Sequence, residues 1–404
     1  MRLNPAFPVC PVTEQLATWP PEWRAACLTD ADAALAHRAD FFMLRGRELG
    51  ESIDWHCDYA SGLHVELVYS AFLDYRDARR VGDVKVIWEV GRMGQLPRLG
   101  QAWRWTRDDR YAREIVGQIK SWIESNPWMR GIHWTSPMEC ALRLIAWTWS
   151  FHLIRDWDGL QDDFCRLLVA SIHQHLVFID RSYSLFSSAN NHLIAEASGV
   201  YVAAAYWRGL KGSARWVRRA RAHLLRECLR QNTGDGVNHE QSFAYQIFVW
   251  DLLVLPALFA RASGDDFPPP YWDRVERMAE FMAWASDGEG NTPNIGDEDE
   301  GVAIRLGGDR DKPVRNMLAL AAALFGRGEF LSRAGPYAQE RASWLVPQQL
   351  PEPIDQAWAS QSFPEGGYQV IRSATEVNRE FFLVFDVGPN GDRVTGVHGH
   401  ADAL

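Results

Sequence analysis

Residues 136–154 read SPMECALRLIAWTWSFHLI, and this stretch gives the clearest indication of the fold. Ser136 is a residue type favoured as a helix N-cap, Pro137 is favoured in the first helical turn, and Glu139 occupies the third helical position. The apolar residues that follow extend for about five helical turns with little polar face. The stretch therefore predicts a long apolar helix in a mainly helical protein.

The helical pattern extends from about residue 65 to residue 335 and is interrupted by loops that contain Gly, Pro and Asn. Amphipathic segments alternate with more apolar ones, and no strict sequence repeat is present. We therefore expect helical pairs closed into a ring and not a short-period solenoid. The predicted helices cover residues 85–106, 111–125, 137–154, 163–181, 192–210, 214–231, 240–263, 271–286 and 312–325.

The composition changes after Gly335. Residues 336–360 are rich in Pro and Gln with little periodicity, which predicts a linker. Residues 367–373 (GYQVIRS) and 381–387 (FFLVFDV) have the composition of strands. Two strands are not stable alone, and the chain ends at HGHADAL as if approaching another strand, so we expect a β-domain truncated at residue 404. The predicted domains are an N-terminal extension (1–64), a helical domain (65–335), the linker (336–360) and the start of the β-domain (361–404).

Composition and charge are those of an ordinary soluble protein, with 47% hydrophobic residues, 23% charged residues and a net charge of −10. Basic residues cluster at Arg215, Arg218, Arg219 and Arg221, a pattern typical of a solvated helix face. We therefore expect no nucleic-acid partner. An anionic substrate is compatible with this charge, because a local basic cleft can outweigh the negative electrostatic potential of the whole protein.

The six cysteines show no CxxC spacing, which argues against a zinc ribbon and against a disulfide scaffold. The N-terminus has no apolar signal-peptide region, and no stretch approaches a membrane span. The sequence as it stands predicts a cytoplasmic location without a membrane span. A periplasmic or secreted location stays open if the N-terminus is incomplete.

Residues 188–192, SANNH, stand at the start of a predicted apolar helix. Asn191 alone could be the helix N-cap, which is the simpler interpretation. The amides of Asn190 and Asn191 and the imidazole of His192 would also suit the binding of a carboxylate.

Residues 235–245, DGVNHEQSFAY, form a turn that leads into a helix carrying Glu240 and Tyr245. A tyrosine in an aromatic-rich helix is usually a core residue. Tyr245 can act as a general acid or base only if a cleft exposes its hydroxyl.

Residues 287–301 form an acidic, glycine-containing segment whose spacing resembles a calcium-binding loop. Thr292 stands where that loop requires glycine, and Pro293 follows, so the motif is rejected. A structured acidic loop is expected, with calcium as the lesser alternative.

Residues 397–402, VHGHAD, follow a glycine-rich stretch at the entry of a predicted strand. His398 and His400 would lie on one face of that strand. Such a pair indicates a metal site or a catalytic site.

Taken together, these motifs resemble the heparinase II/III-like polysaccharide lyases over about residues 70 to 404. The resemblance rests on five motifs in the family order. They are residues 82–103 (GDVKVIWEVGRMGQLPRLGQAW), 126–147 (NPWMRGIHWTSPMECALRLIAW), 187–201 (SSANNHLIAEASGVY), 235–248 (DGVNHEQSFAYQIF) and 294–301 (NIGDEDEG), followed by GGYQVIRS, FDVGPNG and HGHADAL.

The resemblance implies an incomplete (α/α) toroid followed by an antiparallel β-sandwich, with the active site in the cleft between them. Asn191, with His192 beside it, matches the position that neutralises a uronate carboxylate. Tyr245 matches the acid/base tyrosine, and His398 resembles a histidine contributed by the β-domain. His400 resembles a ligand of a structural zinc or calcium ion, although the other ligands are missing here. No cofactor is required.

The implied reaction is β-elimination, which removes the C5 proton beside a uronate carboxylate and expels the O4-linked sugar. Amide and imidazole donors stabilise the carboxylate as charge develops, and Tyr245 or His398 takes the proton. Further substrate contacts are expected from cations, an aromatic face and two polar residues. These are Lys85, Arg92 and Arg143 for anionic groups, Trp134 for a sugar face, and Asn190 and Glu240.

Two alternatives stay open. A glycoside hydrolase on a helical toroid would need two opposed carboxylates, with Glu139, Glu240 and Asp297 as candidates. A non-catalytic polysaccharide-binding or assembly protein would keep the fold. The substrate could be a glycosaminoglycan, an alginate-like polymer or a bacterial exopolysaccharide, and the net charge of −10 disfavours a heavily sulfated one.

Overall fold

The computed structural model describes residues 3, 7, 8, 11, 13–298, 301–335, 338–346, 349–373 and 381–389. This part of the chain is mainly helical, with two small antiparallel sheets. The helices are α1 (Thr13–Leu16), α2 (Pro21–Leu35), α3 (Ala78–Val81), α4 (Val84–Arg92), α5 (Leu96–Thr106), α6 (Asp109–Ser125), α7 (Pro137–Ile154), α8 (Asp162–Ser182), α9 (Asn191–Tyr206), α10 (Ser213–Arg230), α11 (Phe243–Ala262), α12 (Pro269–Trp284), α13 (Pro313–Phe325), α14 (Gly328–Ala334) and α15 (Gln339–Leu345). The strands are β1 (Arg38–Phe41), β2 (Leu44–Glu48), β3 (Gln361–Phe363), β4 (Tyr368–Arg372) and β5 (Phe382–Asp386).

Three apolar helices, α7, α9 and α11, form the inner layer. They are buried along almost their whole length, and α9 packs between the other two. Amphipathic helices cover them from outside: α8 packs on α7 and α9, α10 on α9, and α12 on α11. An inner helix needs no polar stripe because helices surround it. This explains the alternation of apolar and amphipathic segments in the sequence.

Helices α7 and α9 approach each other very closely at Gly199. A Cβ atom at this position would lie 2.5 Å from the backbone oxygen of Ala141, so only glycine fits. This contact fixes the inner pair. It therefore holds the first turns of α7 and α9, which carry Glu139 and Asn191, in one fixed arrangement.

The predicted helix over residues 85–106 is divided into α4 and α5, so the prediction was wrong there. Met93 adopts a left-handed conformation (φ 59°) that ends α4. Pro97 lies in the first turn of α5, where its missing N–H needs no partner. The proline was the sequence signal for this break.

The N-terminal region packs on the helical body. Helix α2 packs against α5, and the β1–β2 hairpin packs against α2. Arg98 of α5 donates from Nε to Asp30 (2.9 Å) and from Nη1 to Glu340 of α15 (2.7 Å). These buried ion pairs join the two ends of the helical region.

Residues 339–345, inside the predicted linker, form helix α15. The side chains of Ala342, Trp344 and Leu345 are buried, so this part of residues 336–360 belongs to the core and is not a linker. The helix has only seven residues, which is too short for a periodic pattern to show. The domain boundaries themselves stay a prediction.

The C-terminal strands form a three-stranded antiparallel sheet in the order β3-β4-β5. β4 and β5 match the predicted strands, whereas the three-residue β3 was not predicted. Tyr368 of β4 is buried against Phe281 of α12 (ring centroids 5.2 Å apart). Arg372 donates to the backbone oxygen of Trp284 at 2.6 Å, so the sheet is attached to the end of α12.

Within the described residues, α11 alone has the length and apolar composition of a membrane-spanning helix. Its apolar window is 89% buried inside the protein. A core helix of this fold gives the same pattern, so the composition of α11 is explained by the inner layer.

Candidate active site

A cavity of about 270 Å³ opens where the inner helices begin. Glu139 of α7, Asn191 and His192 of α9 and Tyr245 of α11 line it from the first turns of their helices. The unpaired N–H groups at helix starts carry a partial positive charge. Three such ends around one cavity favour the binding of an anion.

Asn191 is held by a buried carboxylate. Its backbone N–H and its Nδ2 donate to the two carboxylate oxygens of Glu240, at 2.9 and 2.7 Å. In its ionised form the Glu240 carboxylate can only accept, so it then fixes which way the Asn191 amide faces. Nδ2 carries a second hydrogen, which Glu240 leaves for another acceptor.

Glu240 lies behind the cavity wall and does not line the cavity. Burial raises the pKa of Glu240 to about 8, although the two hydrogen bonds from Asn191 act in the opposite direction. Glu240 was predicted as a substrate contact, and this stays a prediction; in this structure the side chain is fully buried. Its observed contact is with Asn191.

The Glu240→Gln variant should therefore misorient Asn191. A glutamine presents one acceptor and one NH₂ group, so one of the two Asn191 donors would face another donor. We expect turnover to fall by about tenfold or more. The wild-type pH profile should rise as Glu240 ionises near pH 8, and this limb should be lost in the variant. A Glu240→Gln profile that keeps the limb would exclude Glu240 as its source.

Tyr245 lines the cavity, and its side chain is only about 9% exposed. The turn before it is tight: Gln241 adopts a left-handed conformation (φ 55°), and the Ser242 side chain caps α11 by accepting from the Tyr245 N–H at 3.4 Å. The structure thus brings Asn191, His192 and Tyr245 to one cavity, although 54 positions separate Asn191 from Tyr245 along the chain. His398 and His400 lie outside the described residues.

The two predicted cations of α4 also line the cavity. Lys85 is exposed at its rim. Arg92 forms a two-point ion pair with Glu139 (2.7 and 2.9 Å) and a third bond to Glu89 (2.7 Å). Burial alone would lower the pKa of Arg92, but the two carboxylates outweigh it and raise that pKa. Arg92 therefore reaches the cavity with its charge compensated.

Asn190, Trp134 and Arg143, which were predicted to contact substrate, do not line this cavity. The Asn190 side chain caps α9 by accepting from the His192 N–H at 3.1 Å. The Trp134 ring is buried beside Phe178 (centroids 5.5 Å apart) and cannot stack on a sugar.

Arg143 is fully buried between helices. Its Nε donates to the backbone oxygen of Gly91 at 2.7 Å, and its guanidinium lies 4.0 Å from the ring centroid of Trp122. It also contacts Nε2 of His175 at 3.1 Å. Burial and the charge of Arg143 lower the pKa values of His133 and His175 well below the usual range.

Acid should therefore destabilise the fold. His133 and His175 are neutral in the folded protein, whereas in the unfolded chain they bind protons below about pH 6.5. The unfolded state then carries more protons, so the free energy of unfolding should fall by about 1.4 kcal/mol per pH unit for each histidine below pH 6.5. Urea unfolding between pH 7.5 and 5 measures this. His175→Gln should reduce the slope, and a flat wild-type profile would contradict the assignment.

Three aromatic residues of the cavity, Phe42, Trp88 and Phe248, were missed. Trp88 stands three residues after Lys85 and four before Arg92, so helical spacing could have placed it on the same face. Phe42 lies at the turn of the β1–β2 hairpin, where no periodic pattern marked it. The side of the cavity formed by the N-terminal region was therefore not predictable from the motifs.

Hydrogen bonds between its own residues stabilise the acidic loop after α12. The Asp287 carboxylate accepts from the backbone N–H groups of Glu289 and Asn291 and from Asn291 Nδ2, at 2.7 to 2.9 Å. Among the described residues, no group of three His, Cys, Asp or Glu side chains is arranged to hold a metal ion. Residues 287–291 thus form a structured acidic loop, and calcium binding by the wider segment 287–301 stays the lesser alternative.

Residues 24–304 match the family model Heparinase II/III N-terminus, and residues 355–404 match Heparinase II/III-like, C-terminal. The chain belongs to the heparinase II/III family. This confirms the resemblance seen in the sequence motifs.

Among relatives of this heparinase II/III family member is a heparin-sulfate lyase of Bacteroides stercoris, 24% identical over 373 residues, which cover 85% of this chain and 49% of the relative. A heparin-sulfate lyase of Pedobacter heparinus is 26% identical over 225 residues, which cover 54% of this chain and 33% of the relative. The chain thus spans half or less of the length of these two relatives.

Solved structures of similar fold include a heparan sulfate lyase from Pedobacter heparinus (TM-score 0.58, 20% identity, covering 99% of this chain and 54% of the other). An alginate lyase from Bacteroides ovatus has a TM-score of 0.55 at 11% identity, and the match covers 82% of this chain and 95% of the other. At these identities the likeness concerns the fold alone. It confirms the predicted (α/α) toroid followed by an antiparallel β-domain.

Proposed function

We propose that the protein is a polysaccharide lyase that cleaves a uronic-acid polymer by β-elimination. The observation that carries the proposal is the shared cavity of Asn191, His192 and Tyr245 at the starts of the inner helices. An amide held in one orientation and a tyrosine beside it are the groups that removal of a proton next to a carboxylate requires. The names of the family relatives support a uronate polymer as the substrate class.

The proposed step begins when the uronate carboxylate binds at Asn191 and the helix starts. The base removes the C5 proton, the C5–H electron pair forms the C4–C5 double bond, and the C4–O4 bond breaks. The departing oxygen then takes up a proton. We assign the proton transfer to Tyr245, and side chains alone supply the charge stabilisation, so no cofactor enters the proposal.

Hydrolysis is less well supported by the carboxylates of the site. An inverting or retaining hydrolase needs two carboxyl groups that face the bond to be cut. Both oxygens of Glu139 accept from Arg92, and Glu240 is buried behind Asn191. Of the three candidates, Glu139 and Asp297 line the cavity, and Glu139 is held there by Arg92.

The test is an absorbance assay with the purified protein over a panel of heparan sulfate, heparin, hyaluronan, alginate and polygalacturonate. Elimination leaves a double bond conjugated with the carboxylate, which absorbs in the ultraviolet. We expect this absorbance to rise with at least one polymer. New reducing ends without the chromophore would indicate hydrolysis. Polymer binding with no products of either kind would indicate a binding protein.

A further inference from the structure

The β1–β2 hairpin brings an aromatic ring to the cavity from a part of the chain that precedes the family-like motifs. Phe41 pairs with Leu44, so Phe42 and Met43 form a two-residue turn. Phe42 lines the cavity together with Asn191 and Tyr245. Met43, its neighbour, is 92% exposed and does not line the cavity.

Phe42 adopts a left-handed backbone conformation, with φ of 50°. Hairpin turns that require positive φ normally use Gly, Asn or Asp, because a bulky side chain is unfavourable there. The turn geometry therefore gives no reason for a phenylalanine. Backbone strain of this kind is found where the side chain has another role, and here the ring forms part of the cavity wall.

The hairpin is firmly anchored at its base. Phe41 and Leu49 are buried in the core. His37 bonds through Nε2 to Glu114 (2.9 Å) and through Nδ1 to the backbone oxygen of Gly50 (2.9 Å). Asp40 accepts from the Gly46 N–H at 2.6 Å and from Arg310 at 3.2 Å, which ties the hairpin to the loop before α13. These contacts hold the hairpin in place, and the Phe42 side chain packs partly against the core.

We infer that the hairpin is a substrate-binding arm in which Phe42 stacks on the apolar face of a sugar unit of the polymer bound in the cavity. Residues that stack need a flat apolar face, partial exposure and a fixed position, and Phe42 is half-buried at the cavity wall. Its role is to hold the polymer, so it should affect binding more than the chemical step. This inference rests on the proposed function, since it takes the same polymer as the ligand.

The test measures by calorimetry how Phe42→Ala, Phe42→Gly and the control Met43→Ala bind a uronate tetrasaccharide. The tetrasaccharide is prepared from the polymer that the wild type binds. Both Phe42 variants should weaken binding and raise KM by about tenfold, with kcat within about twofold. Met43→Ala should match the wild type. Glycine adopts the left-handed backbone conformation without strain, so the melting temperature of Phe42→Gly should stay close to that of the wild type. Weaker binding by this variant would then come from the missing ring and not from unfolding.

The outcomes distinguish the two proposals. Elimination by the wild type with equal Kd for Phe42→Ala and Met43→Ala would overturn the role of Phe42 alone. Binding without elimination, weakened by Phe42→Ala, would overturn the proposed reaction and retain the binding arm. A wild type that binds none of the polymers would overturn both.

Discussion

Replacing Tyr245 with phenylalanine should lower kcat by about a hundredfold or more while leaving substrate affinity within about twofold. The hydroxyl is the proposed proton-transfer group, and such groups contribute about 10²- to 10⁴-fold to rates. The ring itself stays in the cavity wall, so contacts with bound sugar are kept. Steady-state kinetics by ultraviolet absorbance and calorimetric binding on the same variant give the two values.

Tyr271→Phe is the matched control for this variant. The Tyr271 hydroxyl is buried outside the cavity and donates to the backbone oxygen of Leu253 at 2.8 Å. Its removal should reduce stability by about 1 kcal/mol without a change in kcat. Equal kcat for Tyr245→Phe and the wild type would exclude the phenol from the chemical step.

Replacing Asn191 with alanine should lower kcat by about 10²- to 10³-fold, which is the usual effect of removing one donor to a developing oxyanion. The variant also removes the Nδ2 bond to the buried Glu240, so some loss of stability is expected as well. Kinetics should therefore be measured well below the melting temperature of the variant.

Asn190→Ala provides the comparison, because it removes the amide next to Asn191 that caps α9 and does not line the cavity. It should cost about 1 kcal/mol of stability and leave kcat nearly unchanged. Similar turnover losses in Asn190→Ala and Asn191→Ala would indicate that both act through the helix end and not through the substrate.

The inner helices of the fold could be predicted from the sequence because each is long, apolar and marked by a polar start. The break at Met93 was missed although Pro97 signalled it, and the buried helix α15 is only seven residues long, which is too short for a periodic pattern. The other elements could be predicted only where capping or turn residues gave a strong local signal.

The site residues were predicted through the resemblance to the lyase family, since their own motifs favoured a helix N-cap at Asn191 and a core position for Tyr245. Asn191 and Tyr245 line the cavity as expected, but sequence alone could not tell which of two adjacent amides faces it, because neighbours at a helix start point in different directions. Trp134 was predicted for a sugar face and Trp88 was not considered, whereas the structure places Trp88 in the cavity wall. Both are tryptophans on helical segments, and only packing determines which one is buried.

The most direct test of β-elimination is the mass of the two fragments produced by a single cut in a uronate oligosaccharide that the purified protein cleaves. Elimination adds no water, so we predict that the two fragment masses add up to the mass of the substrate, with the unsaturated uronate on one fragment. A sum that exceeds the substrate by one water molecule would contradict elimination and assign hydrolysis to this cavity.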